Sequence, residues 1–220
     1  RILKFMFRDT TYKAESKKDY TVLTGIKDCN SIANKCEITA IKLLSSSGPS
    51  YARNIGIKET LDKTDAYAIL DADDVYYPNK VAKCMQEMMK SPSIGVVYTD
   101  YDTLNTETNE RAREYKQPYD KEVLNRECIV HSGALVSKNA MVLCMDQFGF
   151  YDEEMRCAED YDLWMRISEK YMIWHVPESH SLVRIQPRNS TRTVDNSIWQ
   201  KCWQRLVLKT QARNSQANGK

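Results

Sequence analysis

The strongest local signal in the chain is the stretch Ala66-Tyr67-Ala68-Ile69-Leu70-Asp71-Ala72-Asp73-Asp74. An apolar strand-like segment runs directly into three carboxylates within four residues. Ligands of open α/β folds bind at the carboxyl edge of the sheet, and crowded carboxylates are best tolerated when they share a hard cation such as Mg²⁺ or Mn²⁺. The stretch therefore predicts a ligand and metal site at a strand end. An acidic turn that caps the helix predicted from Pro78 is the alternative.

Strand-like and helix-like segments alternate along the chain around this stretch. Strand candidates rich in apolar and β-branched residues are 20–26, 38–44, 66–70, 94–99, 129–136 and 172–176. Helices are predicted from Pro49 and Pro78, because proline is favoured at a first helical position, and amphipathic patterns predict two more at 159–170 and 198–208. The alternation predicts an α/β fold with a mostly parallel central sheet flanked by helices.

Composition limits the class of protein. Of 220 residues, 42% are hydrophobic and 28% are charged, and the formal net charge is +2. One compact globular domain fits these values, and they carry no strong nucleic-acid signal. No apolar run approaches the roughly 18 residues of a transmembrane segment. Seven widely spaced cysteines without a C-x-x-C pair predict neither a disulfide scaffold nor a zinc site, and they favour a cytoplasmic location.

Two further motifs offer chemistry. The loop 45–48 enters the helix that carries Arg53, and free N–H groups at such a helix start can receive a phosphate. Glu159 and Asp160 open a later helix, where one of them can act as a general base. Ordinary helix capping is the alternative for both motifs. The chain has no P-loop, no G-x-G-x-x-G, no G-x-S-x-G and no H-E-x-x-H motif, which argues against those nucleotide and hydrolase classes.

Taken in order, six motifs resemble the inverting glycosyltransferase family 2, which has the GT-A fold. The motifs are Gly48-Pro49-Ser50-Tyr51-Ala52-Arg53-Asn54-Ile55-Gly56-Ile57, Ile69-Leu70-Asp71-Ala72-Asp73-Asp74-Val75-Tyr76-Tyr77-Pro78, Tyr98-Thr99-Asp100-Tyr101, Gly133-Ala134-Leu135-Val136, Phe148-Gly149-Phe150-Tyr151-Asp152-Glu153 and Glu159-Asp160-Tyr161-Asp162-Leu163-Trp164. The resemblance covers roughly residues 20–190. It implies a GT-A domain over 1–210, with a nucleotide-sugar half at 1–100, an acceptor half at 101–194 and a C-terminal helix at 195–210, followed by a polar tail at 211–220.

The resemblance implies a metal-dependent hexosyltransferase-type enzyme (EC 2.4). Such an enzyme moves a sugar from a nucleotide-sugar, here a UDP-sugar, to a hydroxyl of a glycan, lipid-linked or other acceptor. Asp71 is then expected near the donor ribose. Asp73 of the Asp71-Ala72-Asp73 motif, together with Asp74, is expected to bind the metal, Mn²⁺ or Mg²⁺, and to contact the diphosphate.

The remaining assignments follow from the same resemblance. Asp28 matches the aspartate that reads the nucleobase, and Arg53 matches the basic residue of the A-R-N helix, so both are assigned to donor binding. Asp160 is assigned as the catalytic base, while Glu159 is expected to cap the helix or to meet solvent. Because the strand-like segments 20–26 and 66–70 both lead to aspartates, we predict that Asp28 ends a parallel strand and faces the same cleft as Asp71 and Asp73.

Two departures from the family pattern concern the donor site. The family's opening strand is not visible at 2–7, which affects the nucleobase contacts, and Gln186 stands where the family often has a metal-facing histidine. Two other functions stay open. One is a nucleotidyltransferase that acts on a sugar phosphate, which needs no base because its nucleophile is already ionised. The other is a non-catalytic transferase-like binding module.

Overall fold

A computed structural model describes residues 12–28, 35–187, 189 and 193–218. Contacts divide the chain into two compact units, 1–48 and 49–220. Among the described residues, no helix combines the length and the apolar character needed to cross a membrane.

The first unit contains a three-stranded antiparallel meander. Its strands are β1 (Tyr12–Ser16), β2 (Tyr20–Asp28) and β3 (Lys35–Leu43), in the order β1-β2-β3. Strand β2 pairs antiparallel with both neighbours. The prediction that Asp28 ends a parallel strand is therefore wrong. The side chain of Asp28 lies outside the described part of the structure, so its assignment to the nucleobase stays a prediction.

The second unit is built on a six-stranded mixed sheet. Its strands are β4 (Ala66–Ala68), β5 (Val75–Tyr76), β6 (Ile94–Asn105), β7 (Arg111–Glu114), β8 (Leu135–Ser137) and β9 (Met172–Ile185). The order is β4-β8-β6-β9-β5, and β7 pairs with β6. The mixed α/β class and the GT-A type of architecture are confirmed. The sheet is not mostly parallel, because only β6 and β9 form a parallel pair and the other four pairs are antiparallel.

Helices flank this sheet. They are α1 (Pro49–Thr60), α2 (Lys80–Met88), α3 (Lys121–Leu124), α4 (Lys138–Leu143), α5 (Glu159–Ile167) and α6 (Asn196–Asn218). Helix α1 begins at Pro49, as predicted, directly after Gly48, whose φ of 89° favours glycine. The short helix α3 begins where Asp120 accepts hydrogen bonds from the N–H groups of Glu122 and Val123.

The polar stretch 101–127 contains the end of β6, the hairpin strand β7 and α3. One segment differs from its predicted form. Helix α6 continues to Asn218, through most of the predicted polar tail. Its mean hydropathy is low, but Cys202 and Leu206 are buried in the core of the second unit, and this contact orders the helix.

Candidate active site

The acidic loop, residues 71–74, follows β4, and Tyr76 anchors the backbone that leads into it. The Tyr76 hydroxyl lies within hydrogen-bond distance of the carbonyl oxygens of Ile69 and Gly133. This contact fixes the backbone that leads into Asp71. Asp71 itself is exposed, whereas Asp73 and Asp74 are half-buried.

Arg53 connects the acidic loop to the start of α5. Its Nη2 donates to Asp71 Oδ1 at 2.9 Å, and its Nη1 donates to Glu159 Oε1 at 2.5 Å. The guanidinium also lies over the ring of Tyr151, 5.3 Å from the centroid. Burial opposes the charge of Arg53, but the carboxylates of Glu159 and Asp71 outweigh it and raise the pKa of this residue. The cation is therefore permanent.

Asn54, the next residue of α1, fixes the segment that precedes α5. Its Nδ2 donates to the Tyr151 carbonyl and its Oδ1 accepts from the Tyr151 N–H, both at 2.8 Å. Gly149 makes the close approach possible: its φ is +101°, and a Cβ there would lie 2.8 Å from Asn54 Nδ2. The A-R-N sequence thus has two functions. Arg53 joins the acidic loop to α5, and Asn54 holds the segment that precedes α5.

Asp160 stands at the start of α5 with a perturbed carboxyl group. Its Oδ1 accepts the N–H of Tyr161 at 2.8 Å. Burial and the negative charge of Glu159 raise the pKa of Asp160 to about 6, although the Tyr161 N–H and Arg53 act in the opposite direction. Ala158 precedes the pair with a left-handed φ of 56°, a strained conformation of the kind that clusters at functional sites. A carboxyl with a pKa near neutrality suits a general base.

Helix α5 is a rigid support for this carboxyl. Apolar side chains surround it in the core, and Leu163, Trp164 and Ile167 are fully buried. Asp162, on the same helix, is also fully buried and accepts from Arg166 Nε at 3.0 Å and from Lys209 Nζ at 2.8 Å. Helix α6, which carries Lys209, therefore holds α5 through buried charges as well as through apolar packing.

Asp73 and Asp74 are the carboxylates that could hold a hard cation. Burial and the nearby charges of Asp73 and Asp71 raise the pKa of Asp74, although the Arg184 N–H, which donates to Asp74 Oδ1 at 3.0 Å, lowers it. Within the described residues, Asp73 forms no ion pair with a lysine or arginine. A divalent ion would relieve this crowding of like charges.

Amide groups face the Asp73 carboxylate. Gln186 Nε2 and Asn189 Nδ2 approach Asp73 Oδ2 at 3.3 and 3.4 Å. Gln186, which stands where the family often has histidine, is thus beside the candidate metal site. The described residues hold no group of three or more His, Cys, Asp or Glu side chains arranged for a metal. Two carboxylates with the remaining positions left to substrate phosphates and water are typical of Mg²⁺ sites.

The structure brings together five predicted residues: Arg53 contacts Asp71 directly and influences Asp160 through its charge, and Asp73 and Asp74 lie on the same loop as Asp71. Sequence reasoning did not identify the Arg53–Glu159 ion pair or the contact of Asn189 with Asp73. Opposite charges 106 residues apart give no local signal. Asn189 follows a strand end without any motif.

One arginine thus joins an acidic strand-end loop to a helix-start carboxylate in a mixed α/β fold. In the comparison with protein families, residues 25–144 match the model of glycosyl transferase family 2. The match covers more than half of the chain, and this chain belongs to that family. Glu159 and Asp160 lie beyond the matched segment, so their assignment rests on the geometry above and on the motif resemblance.

Similar proteins include several glycosyltransferases. An uncharacterized glycosyltransferase of Rickettsia bellii (strain RML369-C) is 26% identical over 147 residues, which cover 66% of this chain and 21% of that protein. One of Haemophilus influenzae is 23% identical over 82% of this chain and 64% of that protein. A chondroitin synthase of Escherichia coli is 30% identical over 49% of this chain and 15% of that protein. The chain spans less than two thirds of each of these relatives.

Proposed function

We propose that this chain is the catalytic domain of a metal-dependent inverting glycosyltransferase that moves a sugar from a UDP-sugar to an acceptor hydroxyl. The observation that carries the proposal is the pair Glu159 and Asp160. Glu159 is held in an ion pair by Arg53, whereas Asp160 keeps a carboxyl group with a pKa of about 6 beside it. Two adjacent carboxylates with separate environments indicate separate functions.

The reaction needs one proton acceptor. As the acceptor hydroxyl oxygen attacks the anomeric carbon, Asp160 takes the hydroxyl proton, a new C–O bond forms, and the bond from the anomeric carbon to the diphosphate oxygen breaks. The bonding electrons leave with the nucleoside diphosphate. Attack from the face opposite the leaving group inverts the anomeric configuration. General-base catalysis of this kind contributes typically about 10² to 10⁴ in rate.

Asp73 and Asp74 would hold the divalent ion, Mn²⁺ or Mg²⁺. When bound, the ion neutralises charge on the leaving diphosphate. Arg53 holds Asp71, the first residue of the acidic loop, and Asp71 is assigned to the donor ribose. Asp28 is assigned to the nucleobase. These assignments come from the family resemblance, and the crowding of carboxylates in the loop supports the metal.

The acceptor is a hydroxyl of a glycan, a lipid-linked sugar or a similar molecule. The name of the chondroitin synthase relative favours a glycan acceptor. An uncharged hydroxyl needs a base, and Asp160 provides one, so transfer to a hydroxyl is favoured over transfer to a sugar phosphate. A cytoplasmic location rests on cysteine usage and stays a prediction.

The test is nucleotide release from UDP-sugars with and without MnCl₂. UDP release that depends on Mn²⁺ and increases with a glycan acceptor supports the proposal. Pyrophosphate consumption or release with a sugar phosphate would indicate the nucleotidyltransferase instead. Absence of both, from a folded protein that binds UDP, would indicate a binding module.

A further inference from the structure

A narrow crevice lies beside the acidic loop, where the end of β4 meets β9 and the loop before β8. Asp71, Asp74, Tyr76, His131 and Ser181 contribute to its lining. It leaves about 10 Å³ for the centre of a water-sized group. This is about the room that one oxygen atom with its hydrogen needs.

Ser181 contributes a buried hydroxyl to the lining of the crevice. The residue is 1% exposed, and its hydroxyl oxygen has no hydrogen-bond partner within the described residues. Ser181 lies opposite Tyr76 in the β5–β9 pair, so its backbone is fixed. A buried hydroxyl that has lost its water and gained no partner is unfavourable. A ligand oxygen in the crevice would supply the missing bond.

His131 contributes a donor of defined position. Its Nδ1 accepts the N–H of Gly133 at 3.1 Å, so in the neutral ring the proton is on Nε2. Burial, and then the positive charges of Lys80 and Lys116, lower the pKa of His131 to about 3, which keeps the ring neutral. The ring also packs on Tyr101, with 4.3 Å between centroids. Because Nε2 carries the hydrogen, it cannot bind a metal.

These groups favour an uncharged occupant. The carboxylates of Asp71 and Asp74, which line the crevice, repel an anion, and the ring of His131, with its hydrogen on Nε2, offers a cation no ligand atom. A hydroxyl satisfies all of them, since it donates one hydrogen bond to a carboxylate and accepts two, from His131 and Ser181. Hydroxyl groups are what the ribose and the transferred sugar of a nucleotide-sugar offer.

We propose that this crevice binds one hydroxyl group of the nucleotide-sugar donor, with Ser181 and His131 as the residues that recognise it. The inference rests on the proposed function. It makes Ser181 and His131 specificity-determining residues, because a donor that lacks this hydroxyl leaves buried polar groups without partners.

Four variants separate the contact from the fold. Ser181→Ala removes the buried hydroxyl, and Ser179→Ala makes the same change two residues earlier on β9, outside the crevice. His131→Asn keeps an oxygen near the position of Nδ1 for Gly133 but removes the Nε2–H. His131→Gln instead keeps an N–H near the position of Nε2. Circular dichroism and the Tm of each variant establish that it is folded.

Calorimetric titration with UDP, 2′,3′-dideoxy-UDP, UDP-glucose and UDP-N-acetylglucosamine, each with MnCl₂, tests the contact. Ser181→Ala and His131→Asn should weaken binding by about tenfold, as one lost hydrogen bond implies. Ser179→Ala and His131→Gln should stay within about twofold of the original protein. If the variants lose affinity only for the UDP-sugars, the hydroxyl belongs to the transferred sugar. If they also lose affinity for UDP but not for dideoxy-UDP, the hydroxyl belongs to the ribose.

Two outcomes overturn the inference. If Ser181→Ala and His131→Asn change the Tm but no affinity, the crevice holds an ordered water. If both variants lower the affinity for dideoxy-UDP as much as the affinity for UDP, the contact is to a phosphate. In either case the original protein still binds UDP and the proposed function survives, whereas failure of the original protein to bind any of the four compounds refutes the proposed function itself.

Discussion

Arg53 donates to Asp71 at 2.9 Å while its other terminal nitrogen is paired with Glu159, so one side chain joins the acidic loop to the helix of the candidate base. We expect Arg53→Met to reduce kcat and to raise the pKa of Asp160, because Arg53 lowers that pKa in the intact protein. The acidic limb of the rate profile should move to higher pH. The measurement is kcat between pH 5 and 8. Lys58→Met, on the same helix, is the control, and an unshifted limb would contradict the coupling.

Asp160→Asn should reduce kcat by about 10² to 10⁴ and leave the Kd of UDP with Mn²⁺ unchanged, because the amide keeps the shape but cannot take a proton. In the original protein, kcat should decrease below about pH 6 as Asp160 becomes protonated. Glu159→Gln should cost less in kcat. If Glu159→Gln is the more damaging change, the assignment of the base is wrong.

Asp160→Asn, which lowers kcat, should at the same time make the folded protein more stable at neutral pH. The folded-state pKa of Asp160 is raised from 3.8 to about 6, so the folded protein holds this proton more tightly, and stability declines as the pH rises through that window. Asp160→Asn should therefore increase the free energy of unfolding at pH 7, by about 1 to 3 kcal/mol, and the gain should vanish below about pH 4. Urea unfolding at pH 7 and pH 3.5 checks this, and equal effects at both values would refute it.

Asp73→Ala should abolish Mn²⁺-dependent UDP binding without unfolding the protein. The residue is half-buried in a repulsive cluster, so its removal costs little stability. Asp62→Ala removes an exposed charge elsewhere and serves as the control. Calorimetric titration with and without MnCl₂ gives the result. Unchanged metal dependence in Asp73→Ala would remove Asp73 from the metal site.

Gln186→His should increase the affinity for Mn²⁺ and UDP together. Gln186 lies 3.3 Å from the Asp73 carboxylate, and an imidazole at this position adds a ligand that suits transition metals. The expected gain is specific to Mn²⁺ over Mg²⁺, since Mg²⁺ prefers oxygen. Gln147→His, on an exposed residue, controls for added histidine. Equal gains with both metals, or none, would contradict the prediction.

Lys209→Met should lower the free energy of unfolding by about 1 to 3 kcal/mol, because Asp152 keeps Arg205 and Asp162 keeps Arg166. Lys209 Nζ lies 2.9 Å from Asp152 and 2.8 Å from Asp162, and both carboxylates are fully buried. Their charges would remain without this cation. Lys201→Met, on an exposed position of the same helix, should change stability by less than about 0.5 kcal/mol. Urea unfolding measures both, and similar effects of the two changes would show that the buried pairs contribute little.

The sequence was sufficient for the local parts of the site and insufficient for strand pairing. The acidic loop, the helix that begins at Pro49 and the Glu159-Asp160 helix start are each encoded within a few residues, and each is present. The alternation in 20–26 is the same for parallel and antiparallel partners, so this pattern contains no reason against a parallel strand at Asp28. Pairing depends on distant residues. Contacts such as Arg53 with Glu159 have the same nonlocal origin.

The ion pairs of the basic residues on α6 differ in how strongly salt should weaken them. Counterions screen exposed pairs such as Arg213 with Glu169, but they reach desolvated pairs poorly. Asp152 and Asp162, both inaccessible to solvent, should keep Lys209 in place in molar salt. The contact between α5 and α6 at Lys209 should thus resist salt, even where the exposed ion pairs of α6 weaken. Any inhibition by salt would then reflect weaker binding of the charged donor and not a displacement of the helix that carries Asp160.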